Sequence, residues 1–123
     1  VYYGAFNEQS GYQLANQAVL QTPRLTAIFG GNNFVAMGAI KAMHNLGLDV
    51  PGDVSIVSFD DLPEFMFMKP FLTVARQPAY EMGRLATELL LKRITGEMHE
   101  EQREFILPVE IVMRESCGPN KNS

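Results

Sequence analysis

The pattern of apolar and polar positions predicts helices that alternate with short extended segments. Apolar side chains recur at helical spacing in three stretches, and β-branched and aromatic residues concentrate in the runs between them. The sequence predicts helices over residues 8–20, 34–46 and 79–94, and strands over residues 26–29, 54–59, 73–76, 103–107 and 109–114. This alternation favours an α/β fold with a parallel sheet.

Residues at the predicted boundaries have the chemistry that helix ends require. Asn7 and Asn33 can accept hydrogen bonds from free backbone N–H groups, so both are predicted N-caps. Gly47 and Gly96 are predicted to end the second and third helices, because glycine adopts a positive φ at low cost. The tail from Cys117 onward is predicted to be frayed.

Polar residues follow two neighbouring strands of the predicted sheet. Asn32 comes after a pair of glycines, and Asp60 comes directly after the second strand. Ligands of open parallel sheets bind outside the carboxyl ends of the strands, so both residues are predicted to lie at one edge. An amide and a carboxylate suit the hydroxyl groups of a neutral polyol. Phe6 can stack on a sugar ring or a base, and Gln77 can complete the rim.

A purely structural interpretation explains the same residues equally well. A single aromatic residue such as Phe6 is more often part of the core than of a binding site. Asn33 is more readily explained as a helix cap than as a ligand contact, and Asp61 can cap a short helix after it. The spacing of these residues alone leaves both interpretations open.

Composition and charge narrow the class of protein. The chain has 123 residues, of which 46% are hydrophobic and 20% are charged, as in a soluble globular domain. Ten basic and 14 acidic residues give a net charge of −4, which is a poor match for DNA phosphates. No apolar run approaches the roughly 20 residues that span a bilayer, so no membrane partner is expected. One cysteine excludes an internal disulfide and favours a reducing compartment.

Neither a catalytic centre nor a metal site is indicated. His44 and His99 are far apart in sequence and lack the spacing of metal ligands. Adjacent carboxylates such as Asp60 and Asp61 point in different directions, and no nucleophile with a paired base is evident. We therefore expect no enzymatic activity, no metal ion and no cofactor.

Three runs together resemble a known protein family. The chain contains TAIFGGNNFVAMGAIKAMHNLGLDVPGDVSIVSFDD, then PFLTVARQPAYEMGRLATELLLKRITG, and finally ILPVEIVMRES. Over about residues 4–116 they resemble the lactose/galactose-repressor (LacI/GalR) family of bacterial transcription factors. The resemblance implies a Rossmann-like, parallel-sheet lobe of the periplasmic-binding-protein-like (type I) fold, as the C-terminal part of a two-lobed effector domain.

The resemblance also implies how the chain is divided. Residues 1–77 correspond to part of the C-terminal lobe, and residues 78–107 to a segment that crosses back to the N-terminal lobe. Residues 108–116 form the return strand, and residues 117–123 the tail. The long helix is expected to pack against residues that this sequence does not contain. The family's DNA-binding headpiece is likewise expected to lie outside it.

Matching the family's motifs residue by residue implies roles for individual side chains. Phe6 matches the aromatic residue that stacks on the ligand, and Asn32 and Asp60 match residues that bond its hydroxyl groups. Gln77 lies at the lobe crossover, near the ligand. The implied homodimer interface comprises Met37, Ile40, Phe65, Met66, Phe67 and Met68. The alternative is that these apolar residues only cover the core of their own lobe.

The resemblance implies a cytoplasmic regulator in which an effector, in most cases a sugar, controls operator DNA binding allosterically. Asn33, Ser58 and Val74 depart from the family pattern, which leaves the identity of the effector open. A periplasmic sugar-binding protein of an uptake system would share the fold and the ligand residues. A sugar-processing hydrolase is a third possibility, and would need a pair of catalytic carboxylates.

Overall fold

The computed structural model contains three helices and four strands among the residues it describes, 1–21, 23–62, 70–97 and 104–121. The elements are α1 (Glu8–Val19), β1 (Ala27–Gly30), α2 (Asn33–Asn45), β2 (Ser55–Phe59), β3 (Thr73–Arg76), α3 (Ala79–Thr95) and β4 (Glu110–Val112). The strands form one sheet in the order β1-β2-β3-β4, and the pairs β1–β2 and β2–β3 are parallel. The predicted α/β fold class with a mostly parallel sheet is confirmed.

The chain divides into two compact units. The first unit comprises Val1–Arg76 and Ile111–Ser123, and the second comprises Gln77–Glu110. The first unit therefore consists of two pieces of chain, with the second unit inserted between them. The assignment of residues 1–77, 78–107 and 108–116 to two lobes of a longer protein stays a prediction.

The core of the first unit lies between α2 and the sheet. Ile56 of β2 and Val74 of β3 are fully buried, and so is Met43 of α2. Alanine side chains at positions 36, 39 and 42 of α2 are also buried, and their small size lets the helix approach the strands closely. Burial of these apolar side chains is the main source of stability for the unit.

Two glycines bring the backbones of α1 and α2 into direct contact. A Cβ atom added at Gly38 would lie 2.1 Å from the carbonyl oxygen of Glu8. One added at Gly11 would lie 2.2 Å from the carbonyl oxygen of Val35. Backbone atoms cannot move aside as a flexible side chain can, so the close crossing of the two helices requires glycine at both positions.

The N-cap of α1 agrees with the prediction, whereas the N-cap of α2 lies one residue before the predicted position. Asn7 Oδ1 accepts a hydrogen bond from Ser10 N at 2.8 Å. In α2 the cap is Asn32, whose Oδ1 accepts from Val35 N at 2.8 Å, so the prediction that Asn33 caps this helix is wrong. Asn32 has an extended backbone, with φ −155° and ψ 173°, whereas Asn33 is already helical and cannot turn its side chain back onto the first turn.

Both predicted C-terminal glycines are confirmed. Gly47 has a φ of +68° and Gly96 a φ of +75°, a conformation that other residues adopt at a cost. After α2, Gly47 N donates to His44 O at 3.1 Å and Leu48 N donates to Met43 O at 2.9 Å. This pair of bonds is a Schellman motif, which satisfies carbonyl groups at the helix end.

The chain after α3 differs from the prediction. Residues 104–107 have no regular structure, so the described part of the strand predicted over 103–107 is wrong. A strand needs a hydrogen-bonding neighbour, and the described residues of the second unit offer this segment none. The strand predicted over 109–114 is confirmed in shorter form as β4.

The segment after Cys117 is anchored, so the prediction of a frayed tail is wrong for residues 117–121. Lys121 N donates to Gly52 O at 2.8 Å, and Asn120 Nδ2 donates to Asp53 O at 2.9 Å. The turn around Gly52 exposes backbone carbonyl groups, and the polar tail supplies donors for them. This attachment keeps the tail on the first unit.

The long helix α3 has no buried residue in this structure. One apolar face, with Met82, Leu85 and Leu89, lines a groove of about 240 Å³ within the second unit. The opposite wall includes Phe105 and Leu107. Among the described residues, no helix is both long and apolar enough to cross a membrane.

The close crossing of α1 and α2 generates a prediction on stability. Replacing Gly38 by alanine places a methyl group against the backbone of α1, so we expect the free energy of unfolding to fall by ~1–3 kcal/mol. Gly83→Ala in α3 is the matched control, because an added Cβ there meets nothing within 4 Å. Urea denaturation of both variants measures the difference. Equal stability of the two variants would show that the contact is not restrictive.

Candidate ligand-binding site

The predicted polar residues lie at the same edge of the sheet. β1 and β2 run parallel, and Gly30 is paired with Ser58 in their register. Asn32 and Asp60 each follow these paired residues by two positions, so they leave the sheet side by side at its carboxyl edge. In open α/β sheets this edge is where ligands bind.

Phe6 is exposed beside this edge. Its side chain is 74% accessible to solvent, so the interpretation of Phe6 as a core residue is wrong. A Cβ atom added at Gly31 would lie 3.7 Å from Phe6 Cε1, which places the ring next to the turn that carries Asn32. The lack of a side chain at Gly31 keeps this approach open. An accessible aromatic face therefore adjoins the polar residues of the edge.

The capping bond determines what Asn32 can offer to a ligand. Its Oδ1 is occupied by Val35 N, so the side chain is held in a fixed orientation. Among the residues that the structure describes, the Nδ2 group of Asn32 has no hydrogen-bond partner. Asn32 can therefore donate to a ligand oxygen from a restrained side chain while it caps α2, so the capping and binding interpretations are compatible.

Asp60 has an uncommon backbone conformation. Its φ is +67°, and among the described residues it is the only one other than glycine with a positive φ. Its backbone N–H donates to Ala75 O at 3.0 Å, which fixes the end of β2 against β3. For residues other than glycine such a conformation costs about 1 kcal/mol or more, although aspartate tolerates it better than most. It is retained where the surrounding structure enforces it, often at ligand sites.

Arg114 and Asp61 form an ion pair that sequence reasoning missed. Arg114 Nη1 donates to Asp61 Oδ1 at 2.7 Å, and Arg114 Nη2 donates to Asp61 Oδ2 at 2.5 Å. The two side chains are only 16% and 22% exposed. The hydrogen bond from Arg114 lowers the pKa of the Asp61 carboxyl, and that bond in turn raises the pKa of Arg114. The sequence contained one signal for this ion pair, namely the two motifs Phe-Asp-Asp and Arg-Glu-Ser to which Asp61 and Arg114 belong.

The backbone of Asp61 is held from a second direction. Asn33 Nδ2 donates to the carbonyl oxygen of Asp61 at 2.9 Å. This bond connects the first turn of α2 to the end of β2. The backbone N–H of Leu62 donates to Asp61 Oδ1 at 2.9 Å, so the residue after Asp60 is restrained by both its side chain and its backbone.

Residues 114–116, which we call the C-terminal clamp, belong to the return segment (residues 108–116) and bind it to β2 and β3. Ser116 is fully buried, and its Oγ donates to Ile56 O at 2.6 Å and accepts from Thr73 N at 2.7 Å. Thr73 Oγ1 accepts from Arg114 N at 2.9 Å and donates to Arg114 O at 3.0 Å. The clamp thereby satisfies backbone groups of both strands near their amino ends, since Ile56 is the second residue of β2 and Thr73 is the first residue of β3.

Other residues implied by the resemblance are not brought into this group. Gln77 follows β3 directly but belongs to the second unit, where it lines the groove along α3. Met37 and Ile40 lie on α2 and are partly buried, and Ile40 packs against the core. Residues 65–68, the rest of the implied dimer interface, lie outside the described residues. The roles of all these residues stay predictions.

A parallel sheet with aromatic, amide and carboxylate side chains at its carboxyl edge has the architecture of a ligand-binding α/β lobe. Residues 2–117 match the family described as the periplasmic binding protein-like domain. The chain belongs to this family.

Relatives within the family are transcriptional regulators. The chain is 39% identical over 114 residues to the HTH-type transcriptional regulator MalR of Clostridium butyricum, covering 93% of this chain and 33% of MalR. It is 38% identical over 120 residues to the HTH-type transcriptional repressor PurR of Erwinia tasmaniensis, covering 97% of this chain and 35% of PurR. The resemblance to the LacI/GalR family is thereby confirmed.

Solved structures give the same result. A LacI family transcriptional regulator from Enterococcus faecium with bound ribose superimposes with a TM-score of 0.75 at 31% identity, over 93% of this chain and 42% of that one. The chain spans about a third of the length of the curated relatives it matches. The comparisons favour the regulator over the periplasmic uptake protein.

The ion pair of Asp61 generates a prediction on pH dependence. Because the pKa of Asp61 is lowered in the folded state, the unfolded chain takes up the proton first as the pH falls below about 4. The contribution of the pair to stability is therefore complete above that pH and is lost as the pH falls through the folded pKa. Asp61→Asn should destabilise the protein by ~1.5–3 kcal/mol at pH 7 and show a flatter decline in acid.

Urea denaturation between pH 7 and pH 3 measures this difference. Asp49→Asn is the control, since Asp49 pairs with Lys121 on the surface and both side chains are more than half exposed. We expect the control to follow the parent protein closely at every pH. Parallel curves for Asp61→Asn and the parent would contradict the role assigned to the pair.

Proposed function

We propose that this chain is the effector-binding part of a LacI-family transcriptional regulator, and that its effector is a sugar. The observation that carries the proposal is the juxtaposition of the exposed Phe6 ring with Asn32 and with the adjacent strand end that carries Asp60. An apolar ring face suits the C–H face of a sugar, and an amide donor and a carboxylate acceptor suit its hydroxyl groups. The ribose bound to the Enterococcus faecium relative supports the same class of ligand.

The proposed role of the sugar is to shift a conformational equilibrium. A ligand changes DNA affinity only if it binds one conformation of the regulator more tightly than another. The net charge of −4 makes this chain a poor DNA-binding surface, which supports operator contact through another part of the polypeptide. No catalytic step is part of the proposal, in keeping with relatives that are transcriptional regulators.

The proposed setting is the cytoplasm, where the operator is, and the proposed assembly is a homodimer. Met37 and Ile40 of α2 are apolar and only partly buried, which supports a contribution of this helix to a subunit interface. Residues 65–68 continue the apolar sequence proposed for that interface.

Removal of the Asp60 carboxylate tests the sugar site. The test uses the longest natural polypeptide that contains this chain and the sugar that binds it most tightly among ribose, galactose, lactose and maltose. Asp60→Ala should lower the affinity for this sugar by about 10- to 150-fold, because it removes a charge-assisted hydrogen bond. Isothermal titration calorimetry measures the affinity. An unchanged affinity would refute the role of Asp60, and the failure of all four sugars to bind would refute the ligand class.

Removal of the Phe6 ring tests the aromatic contact. Phe6→Ala should lower the affinity for the same sugar about two- to tenfold, and Phe6→Tyr should retain the affinity because it keeps the ring. Since Phe6 is exposed, neither change should lower the melting temperature. Asp49→Ala, which alters a carboxylate at the amino end of β2, is the control and should bind as the parent does.

A charge on the outer surface of α2 tests the dimer. Met37→Glu should convert a dimeric protein into a monomer, because two like charges would face each other across an isologous interface. Analytical ultracentrifugation measures the mass, and circular dichroism verifies that the variant is folded. Gln17→Glu adds the same charge on the exposed side of α1 and should leave the mass unchanged. If both variants are dimers, the proposal that Met37 lies in the dimer interface is wrong.

A further inference from the structure

We infer that Arg114 is a positioning residue that holds Asp60 in its ligand-binding conformation by gripping Asp61. The inference rests on the proposed function, because it assigns Asp60 to the sugar site. Arg114 itself lies in the return segment, 54 positions after Asp60 in the sequence, and makes its contact one residue away from the proposed ligand group.

The backbone of Asp60 needs restraint from its neighbours. A residue at φ +67° can relax to the more stable negative region when nothing opposes it. Such a relaxation would swing the side chain of Asp60 away from its present direction. The conformation is therefore retained only where contacts of the residue or of its neighbours oppose this relaxation.

Bonds of this kind are present, and Arg114 supplies a charged one. On the amino side, Asp60 N is bound to Ala75 O at 3.0 Å. On the carboxyl side, the guanidinium of Arg114 holds both carboxylate oxygens of Asp61, which fixes the position and the rotation of that side chain. Asn33 holds the carbonyl oxygen of Asp61 as a weaker, neutral third restraint.

The guanidinium is itself held in place. Arg114 Nη1 also donates to Leu72 O at 2.8 Å, and the Arg114 backbone is bound twice to Thr73 Oγ1. Leu72 and Thr73 are buried at the start of β3, so the charge is attached to the sheet and not to a mobile loop. A lysine at this position would keep the charge but could not grip two oxygens at once.

A double-mutant cycle in the longest natural polypeptide tests the inference. Arg114→Met should lower the affinity for the tightest-binding sugar among ribose, galactose, lactose and maltose about tenfold. Arg114→Lys should recover part of this affinity. In an Asp60→Ala background the same Arg114→Met change should have less than about a twofold effect, because no carboxylate is left to be positioned. A purely structural role would produce the same loss in both backgrounds.

Ser116→Ala is the matched control for stability. It removes two buried hydrogen bonds of the C-terminal clamp without touching Asp61, so it should lower the melting temperature but leave the sugar affinity unchanged. Equal losses of affinity in Ser116→Ala and Arg114→Met would overturn the inference. If Asp60→Ala alone leaves the affinity unchanged, the proposed site fails independently of Arg114.

A crystal structure of Arg114→Met decides the question without a ligand. We expect the φ of Asp60 to become negative once the grip on Asp61 is lost. A φ that stays near its present value in the variant would overturn the inference, even if none of the four sugars binds.

Discussion

The first unit depends on the ion pair between Arg114 and Asp61 together with the buried hydroxyl of Ser116. The hydroxyl attaches a short return segment to the beginning of β2 and β3, whereas the ion pair connects that segment to the residues that follow the end of β2. Without them, buried backbone groups of β2 and β3 would lose their partners, which is costly in a dry interior. The position of Asp61, next to the ligand edge, therefore depends on a residue that comes 53 positions later in the sequence.

Much of the fold could be predicted because it follows from local rules. The strand β3 was predicted with the bounds it has, and the glycines that end α2 and α3 need only the steric freedom of a missing Cβ. The errors arose where local rules were ambiguous. Two adjacent asparagines can both cap a helix, and only the backbone geometry selects the first. A polar tail is expected to be frayed unless it meets exposed carbonyl groups, which the sequence alone does not reveal.

The residues of the candidate site could be proposed from the sequence, but the contacts that hold the strand end in place could not. Asn32 and Asp60 could be identified because strand ends in a parallel sheet converge, and Phe6 could be identified from the resemblance. The contacts of Asn33 and Arg114 with Asp61 connect residues 28 and 53 positions apart. Such contacts depend on the tertiary structure, so neither periodicity nor residue type predicts which partner each residue selects.

The insertion of Gln77–Glu110 between the two pieces of the first unit has a consequence for folding during synthesis. The first unit cannot be completed when its first 76 residues leave the ribosome, because the clamp is still 37 residues away from emerging. Until then the start of β3 and the carboxylate of Asp61 lack their partners. A nascent chain in this state exposes unpaired strand groups, which favour aggregation, and the emergence of Ile111–Ser123 supplies their partners.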